Sequence, residues 1–376
     1  MGSTGERSVS RTSDWAPGHT SRALVQRGHR DLVMQNVRAD TDLASDQAVL
    51  QLEANGLCGS DVDQFRGHMD HLVTYPVVPG HEPLGRIAAV GEDFHRRHGV
   101  EVGDRVFVEP FVFCGGCNEC LSGWYSMCSR GEWYGYRAQV AGAPPSGGLA
   151  DHMVLELNSS LHRVDEAVPT EVAILASPMS AGIEWAVGRG EVSLGDRVLI
   201  FGPGPRGLCS AYACAKAGAA EIVVVGLESD RRRLDVAGEV TGAAVVTVGS
   251  SGRPELPPGF DNRFDLALDA TPMAVEPVVE AVRCVRPGGR VVVAGLKGRR
   301  ATQLVTDDVV HRGVDIRGAL GVRRRSVSRA ISLLTKAGDL GPMHADLVPL
   351  GDAVEVLMGV AESGLPTSSI QLAVTP

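Results

Sequence analysis

The sequence predicts an α/β protein in which a doubly wound parallel sheet follows a separate β-rich domain. From about Thr170 onward, apolar strands alternate with helical segments, the pattern of a parallel sheet covered by helices on both faces. From Arg22 to about Val168, the apolar runs are short and bounded by Gly, Pro and Asp, as in strands joined by tight turns. A group of four closely spaced cysteines marks a compact lobe within that β-rich part.

The elements follow in order. The first twenty or so residues are rich in Ser, Thr, Gly and Arg without an apolar period, so residues 1–21 are expected to form a flexible extension. Ala48–Leu52, Gly85–Val90 and Arg105–Val108 read as strands, and Val102-Gly103-Asp104 reads as a turn. Thr170-Glu171 opens an apolar helical stretch through Val187. Gly195-Asp196 then leads into the strand Arg197–Phe201, a Gly-rich turn, a helix from about Gly207 to Ala217, and the strand Glu221–Val225. Further strands read at Val245–Val248, Asp265–Asp269 and Arg290–Ala294. The Asp315–Leu320 segment returns to a shorter α+β pattern, and Arg323-Arg324-Arg325 reads as a solvated helix start.

Length and composition bound the function. A chain of 376 residues suggests two or three domains, and 44 % apolar with 22 % charged residues suits a packed chain. Its longest apolar runs, such as Ile222–Val225 and Val291–Ala294, fall far short of the roughly 18 residues of a spanning helix. Residues 1–22 carry no apolar signal region, so a cytoplasmic location is expected. A net charge of −9 argues against a nucleic-acid partner held by bulk electrostatics. Neither a membrane nor a nucleic acid is an expected partner.

Eight cysteines in a reducing compartment bind metal more often than they form disulfides. Cys114, Cys117, Cys120 and Cys128 can surround one tetrahedral Zn²⁺, with Gly115 and Gly116 turning the chain between the first two ligands. Four thiolates leave no open coordination position, so the site is structural. The alternatives are buried or disulfide-linked thiols, or a nucleic-acid zinc ribbon; the surrounding Glu109, Glu119 and Glu132 are not basic. Cys209, Cys214 and Cys284 read as small packing residues.

Gly202-Pro203-Gly204-Pro205-Arg206-Gly207 matches G-x-G-x-x-G between an apolar strand and a helix, the context that makes the match specific for a dinucleotide. Gly202 permits the turn, Gly204 admits the pyrophosphate, and Gly207 allows close helix–strand packing, with Pro205 and Arg206 at the helix start. Gly226 stands where NAD-preferring domains usually carry a carboxylate, and Arg231 nearby could pair with a 2′-phosphate. Glu228 could instead hold the ribose diol. The balance tips to NADP, with NAD open.

Asn55-Gly56-Leu57-Cys58-Gly59-Ser60-Asp61 and Pro79-Gly80-His81-Glu82-Pro83-Leu84-Gly85 contain the Cys, His and carboxylate types that an open zinc site uses. With the four-cysteine lobe, the Gly202–Gly207 turn and Arg286-Pro287-Gly288-Gly289-Arg290, they make the chain resemble the zinc-dependent medium-chain dehydrogenase/reductase family, from about Ser21 to Pro376. This family includes alcohol, polyol and threonine dehydrogenases. The resemblance implies a GroES-like catalytic domain over residues 22–178 and 318–376 and a Rossmann domain over 179–317, with Gly295 joining the cofactor candidates. It implies catalytic-zinc ligation by Cys58 and His81, a neighbouring carboxylate in Glu82, and Ser60 as the hydroxyl that passes the substrate proton.

Two positions depart from the family pattern. Ser177 occupies the place of the third zinc ligand, where a neutral hydroxyl is a poor donor. That leaves closure to Glu82 or water, or leaves the catalytic zinc weak or absent. Asp63 stands where many members carry a relay histidine.

The resemblance thus implies an NAD(P)-dependent alcohol dehydrogenase or ketone reductase for a small alcohol or carbonyl substrate, by default a secondary alcohol, and a homodimer or homotetramer. The alternatives are a C=C or C=N reductase that keeps only the structural zinc, and a non-catalytic zinc- and dinucleotide-binding regulator. Trp133, Tyr134 and Tyr136 line either a substrate pocket or the core.

Overall fold

The computed structural model describes residues 15–250, 254–337, 340–364, 366 and 368–376. Much of the extension expected over residues 1–21 lies outside the described residues; Thr20 and Ser21 open the strand Thr20–Gly28. The chain forms two compact units.

The first unit comprises the described residues up to Ile174, with Leu347–Gly364 and Leu372–Pro376. Its centre is the long strand Gln47–Leu57, which pairs antiparallel with Pro83–Val90, with His152–Glu156 and with Gln371–Thr375. Arg105–Val108 and Leu161–Arg163 extend the sheet on one side and Ala345–Pro349 on the other. Alternating side chains of the central strands, including Leu50, Ile87, Val106 and Met153, close around a fully buried Phe94. A two-stranded ribbon, Phe111–Val112 with Glu132–Trp133, holds the base of the four-cysteine lobe.

The second unit spans Leu175–Asp346 with the described part of Leu365–Gln371. Its six strands are all parallel. In spatial order they are Ala244–Val248, Glu221–Leu227, Arg197–Phe201, Phe264–Asp269, Val285–Val293 and Asp315–Gly318. Numbered along the chain this order is 3-2-1-4-5-6, the arrangement of a doubly wound dinucleotide fold, and it places the first strand's C-terminal end at the switch point. The expected fold class is borne out.

Three local expectations need correction. The apolar stretch expected as one helix from Thr170 to Val187 is a short helix Thr170–Ala173, a helix Ala176–Ile183 and a π-helical segment Glu184–Arg189. Pro178 has no N–H to offer a preceding turn, so it fits only inside the first turn of a new helix. The late strand begins at Val285 rather than Arg290. The basic run at 323–325 is not wholly solvated, because the Arg323 guanidinium reaches the buried Glu184 carboxylate at 2.6 Å.

That ion pair also explains why the chain remains in the second unit until Asp346, later than the return at residue 318 expected from the sequence. Arg323 Nε and Ser326 Oγ donate to the two Glu184 oxygens at 2.7 and 2.6 Å, fixing the Arg324–Ala337 helix to the π-helical segment. Cys209, Cys214 and Cys284 are all buried, as packing residues should be.

Candidate active site and cofactor cradle

The strand Gln47–Leu57 delivers Cys58, which is the N-cap of the helix Gly59–Phe65. Asp61 is the third residue of that helix, and its carboxylate turns back to accept the Cys58 N–H at 2.8 Å. The neighbouring turn supplies His81 and Glu82. Asn55, fully buried, joins the two segments: its Oδ1 accepts the Glu82 N–H at 3.1 Å, and the Gly56 N–H donates to the Glu82 carbonyl at 3.1 Å. Gly80, with φ +96°, allows this approach, since a Cβ there would lie 2.6 Å from the Leu149 nitrogen.

One ligand atom each from Cys58, His81 and Glu82 lies within 4.8 Å of the others. His81 Nδ1 is 3.1 Å from Asp61 Oδ1, so Nε2 is the nitrogen left for a metal. Ser60 Oγ lies 3.1 Å from that Nε2. Burial works against a charged His81, but Tyr136, Asp61 and Cys58 outweigh it and raise its pKa well above the usual value. Burial likewise raises the pKa of the Tyr136 phenol. The thiol, imidazole and carboxylate brought together here are donors that zinc accepts.

The other two expected residues each have a local partner. The Asp63 carboxylate, 37 % exposed, is 3.4 Å from His68 Nδ1. Ser177 lies in the first turn of Ala176–Ile183, in the second unit, and its carbonyl accepts the Ser180 hydroxyl at 2.7 Å. Of the three aromatic residues, Tyr134 is core and bonds Ser159 at 2.6 Å. Tyr136 faces His81, with ring centroids 5.4 Å apart. Asp61 was missed as a site residue, although a carboxylate three residues after Cys58 is the spacing of a capping box.

In the lobe, Cys114, Cys117, Cys120 and Cys128 offer four sulfurs within 4.8 Å of one another, all as free thiols. The Gly116 backbone pulls Cys114 down to about 6, while desolvation and the neighbouring thiols push Cys120 up to about 12. Four thiolates held this closely need a cation to ionise together, as structural zinc provides. Tyr125, inside the lobe, donates to the buried Glu109 at 2.6 Å, and His162 Nε2 contacts the other Glu109 oxygen at 2.7 Å.

The Gly-rich turn of the second unit has the close contacts its glycines imply. A Cβ on Gly207 would lie 1.8 Å from the Gly202 carbonyl, and Gly202 has φ +95°. Gly204 caps the helix Pro205–Ala217 with open space beside it, so a pyrophosphate could approach its backbone. Arg206 lies 5.8 Å over the Trp185 ring. Gly226 packs on Pro203, and Gly295 fits against the Thr271 carbonyl, where a Cβ would approach to 2.1 Å. Glu228 and Arg231 are exposed beyond the second strand, and Arg231 is 3.2 Å from Asp235. Sequence reasoning missed Lys297, whose Nζ reaches Asp269 at 2.6 Å and the Thr271 hydroxyl at 3.2 Å beside this turn. Burial raises the Asp269 pKa despite that lysine.

Comparison with known proteins matches residues 44–166 to the alcohol dehydrogenase GroES-like domain and residues 205–336 to the zinc-binding dehydrogenase domain. A Mycobacterium tuberculosis protein named "Probable alcohol dehydrogenase adh" is 36 % identical over 84 % of this chain and 88 % of its own. Sorbitol dehydrogenase of Bacillus subtilis is 28 % identical over 79 % of this chain and 81 % of its own. Among solved structures, a Sinorhizobium meliloti protein described as a zinc-binding dehydrogenase and bound to NADP superposes with a TM-score of 0.80. Its 20 % identity, over 95 % of this chain and 100 % of that one, speaks to fold alone. Among the described residues, no helix is long and apolar enough to cross a membrane. These likenesses set aside a non-catalytic regulator and bear out zinc and NAD(P) as the cofactors. The chain belongs to the zinc-binding alcohol dehydrogenases and is an NAD(P)-dependent alcohol or polyol oxidoreductase.

Proposed function

We propose that this enzyme moves a hydride between NADP and a secondary alcohol or its ketone, with a zinc ion held by Cys58, His81 and Glu82. The observation that carries the reading is the convergence of these three donors within 4.8 Å, beside the half-buried Ser60 hydroxyl. Glu82 supplies the anionic donor that Ser177 lacks. When bound, zinc supplies Lewis-acid polarisation of the substrate oxygen, and the nicotinamide supplies the hydride chemistry.

The protein's own residues bind, orient and move the proton. Asp61 holds His81 in one tautomer, with Nδ1–H facing the carboxylate. Ser60 takes the proton of the substrate hydroxyl, and Asp63 beside His68 passes it towards solvent. Backbone N–H groups at Gly204 and Arg206 receive the pyrophosphate; Pro205 begins the helix without an N–H to waste. Gly226 leaves the second strand without a carboxylate, and the exposed Arg231 favours a 2′-phosphate over the diol that Glu228 would hold. Relatives that act on sorbitol and on erythritol or L-threitol support a secondary-alcohol substrate. A cytoplasmic homodimer or homotetramer completes the proposal, and light scattering on the purified chain reads its mass.

Ser177 motivates a second reading, a C=C or C=N reductase that keeps only the zinc of the four-cysteine lobe. Cys58→Ala separates the two. Under the proposed function it abolishes oxidation of a secondary-alcohol panel while NADP binding persists. Turnover retained in Cys58→Ala would overturn zinc catalysis.

A further inference from the structure

Lys297 sits where three acceptors meet. Its ammonium donates to Asp269 Oδ2 at 2.6 Å, to the Thr271 carbonyl at 2.5 Å and to the Thr271 hydroxyl oxygen at 3.2 Å. An ammonium has three N–H groups, and these contacts use all of them. The other Asp269 oxygen accepts the Thr271 N–H at 3.0 Å and the Thr271 hydroxyl at 2.6 Å. The Asp269 side chain is fully buried, and that of Lys297 is 13 % exposed. Of the 36 basic residues in the chain three are lysines, and one of the three stands here. A compact ammonium suits three acceptors around one point, which the planar fork of an arginine would not match.

This network lies against the Gly-rich turn. Asp269 pairs in register with Phe201, the last residue of the strand that leads into Gly202. The Ala270 N–H donates to the Phe201 carbonyl at 2.9 Å. A Cβ on Gly202 would lie 3.0 Å from the Thr271 methyl group and 3.3 Å from the Thr271 nitrogen. The Asp269 carbonyl accepts the Ala294 and Gly295 N–H groups, each at 3.0 Å, and the Met273 N–H donates to the Leu296 carbonyl at 2.8 Å. The loops after the fourth and fifth parallel strands are thereby laced together beside Gly202.

A buried carboxylate at this point works against a cradle that receives an anion. Its field is weakly screened inside the protein and opposes the negative charge of a pyrophosphate. Burial pushes the Asp269 pKa upward and Lys297 opposes that rise, so the ammonium both favours the ionised carboxylate and balances it.

We infer that Lys297 is a positioning residue of the cofactor cradle, whose ammonium cancels the charge of Asp269 beside Gly202 so that the pyrophosphate of NAD(P) meets no buried negative charge. The inference rests on the placement of the pyrophosphate proposed above.

The test is calorimetric titration of the intact chain with NADP and with NAD, using Lys297→Met, Asp269→Asn and the double variant. A pH of about 9 keeps Asp269 ionised in every variant that carries it. Either single change breaks the same ion pair, and both should lower the thermal midpoint. Their effects on binding should differ in sign. Lys297→Met should weaken both dinucleotides about tenfold, the scale of one uncompensated charge nearby. Asp269→Asn should bind them as tightly as the wild type or more so, and the double variant should return to within about twofold of it. Lys297→Gln, which can still donate to the Thr271 carbonyl, should weaken binding as Lys297→Met does. Wild-type affinity in Lys297→Met, equal weakening by both single changes, no recovery in the double variant, or a loss confined to NADP would each overturn the inference while leaving the proposed function standing. Dinucleotide affinity unchanged by Gly207→Ala would instead remove the pyrophosphate from the turn, and this inference with it.

Discussion

His81 Nδ1 lies 3.1 Å from an Asp61 carboxylate oxygen, with both side chains buried and Asp61 also accepting the Cys58 N–H. One carboxylate thus orients two of the three candidate ligands of the catalytic zinc. Asp61→Asn keeps the shape but removes the charge and the fixed tautomer. Its zinc affinity should fall about 10- to 100-fold, the usual effect of losing a ligand's supporting partner. Chelator competition on the intact chain measures this, and unchanged affinity would remove Asp61 from the site.

Removing metal from the four-cysteine lobe should loosen the first unit. The lobe packs through Phe111, Tyr125 and Trp133, and its four free thiols have no disulfide to hold them. Cys120→Ser is expected to lose one zinc per chain and to lower the thermal midpoint by several degrees, since about 1 kcal/mol shifts a domain of this size by roughly 2–4 °C. A midpoint equal to the wild type would show that the lobe carries no stabilising metal.

Gly207→Ala places a methyl group 1.8 Å from the Gly202 carbonyl. The helix must back away from the turn, at a cost of about 1–3 kcal/mol. Urea unfolding should show that loss, and NADP affinity by calorimetry should fall with it. Wild-type affinity for the dinucleotide would separate the turn from cofactor binding.

These contacts show what could be read from residue order alone. The thiol spacing, the Gly-rich turn and the strand Arg197–Phe201 were legible because each is a local pattern with a short-range cause. Asp61 was within reach through its capping-box spacing to Cys58. Tyr136 was visible only as an aromatic of open role, because the Gly135–Gly80 backbone contact that carries it to His81 joins segments 55 residues apart. The Glu184–Arg323 pair spans 139 residues, so the basic run looked solvated and the second unit appeared to end early. The π-helical segment has no signature in apolar periodicity.

That buried pair makes its own prediction. Arg323→Ala leaves the Glu184 carboxylate, 4 % exposed, without its cation and should destabilise the second unit by about 3–5 kcal/mol. Glu184→Gln in the same chain should recover part of the loss. Denaturant unfolding of the single and double variants decides this, and equal stabilities would contradict it.

The pH dependence of stability has a specific contributor in His152. Burial first, and the charge of His19 second, lower its pKa from 6.5 to about 4. The unfolded chain then binds a proton that the folded one refuses between those values, so stability is full above pH 6.5 and is lost as pH falls towards 4. His152→Gln should flatten this part of the stability profile. A variant profile parallel to the wild type across that window would exclude His152 as the cause.

The central claim is that Cys58, His81 and Glu82 hold a zinc ion separate from the four-cysteine site. Metal stoichiometry by plasma mass spectrometry on the purified chain tests it most directly. The account predicts about two zinc ions per wild-type chain and about one in Cys58→Ala, one for each donor cluster. About one zinc in the wild type, unchanged in Cys58→Ala, would contradict it.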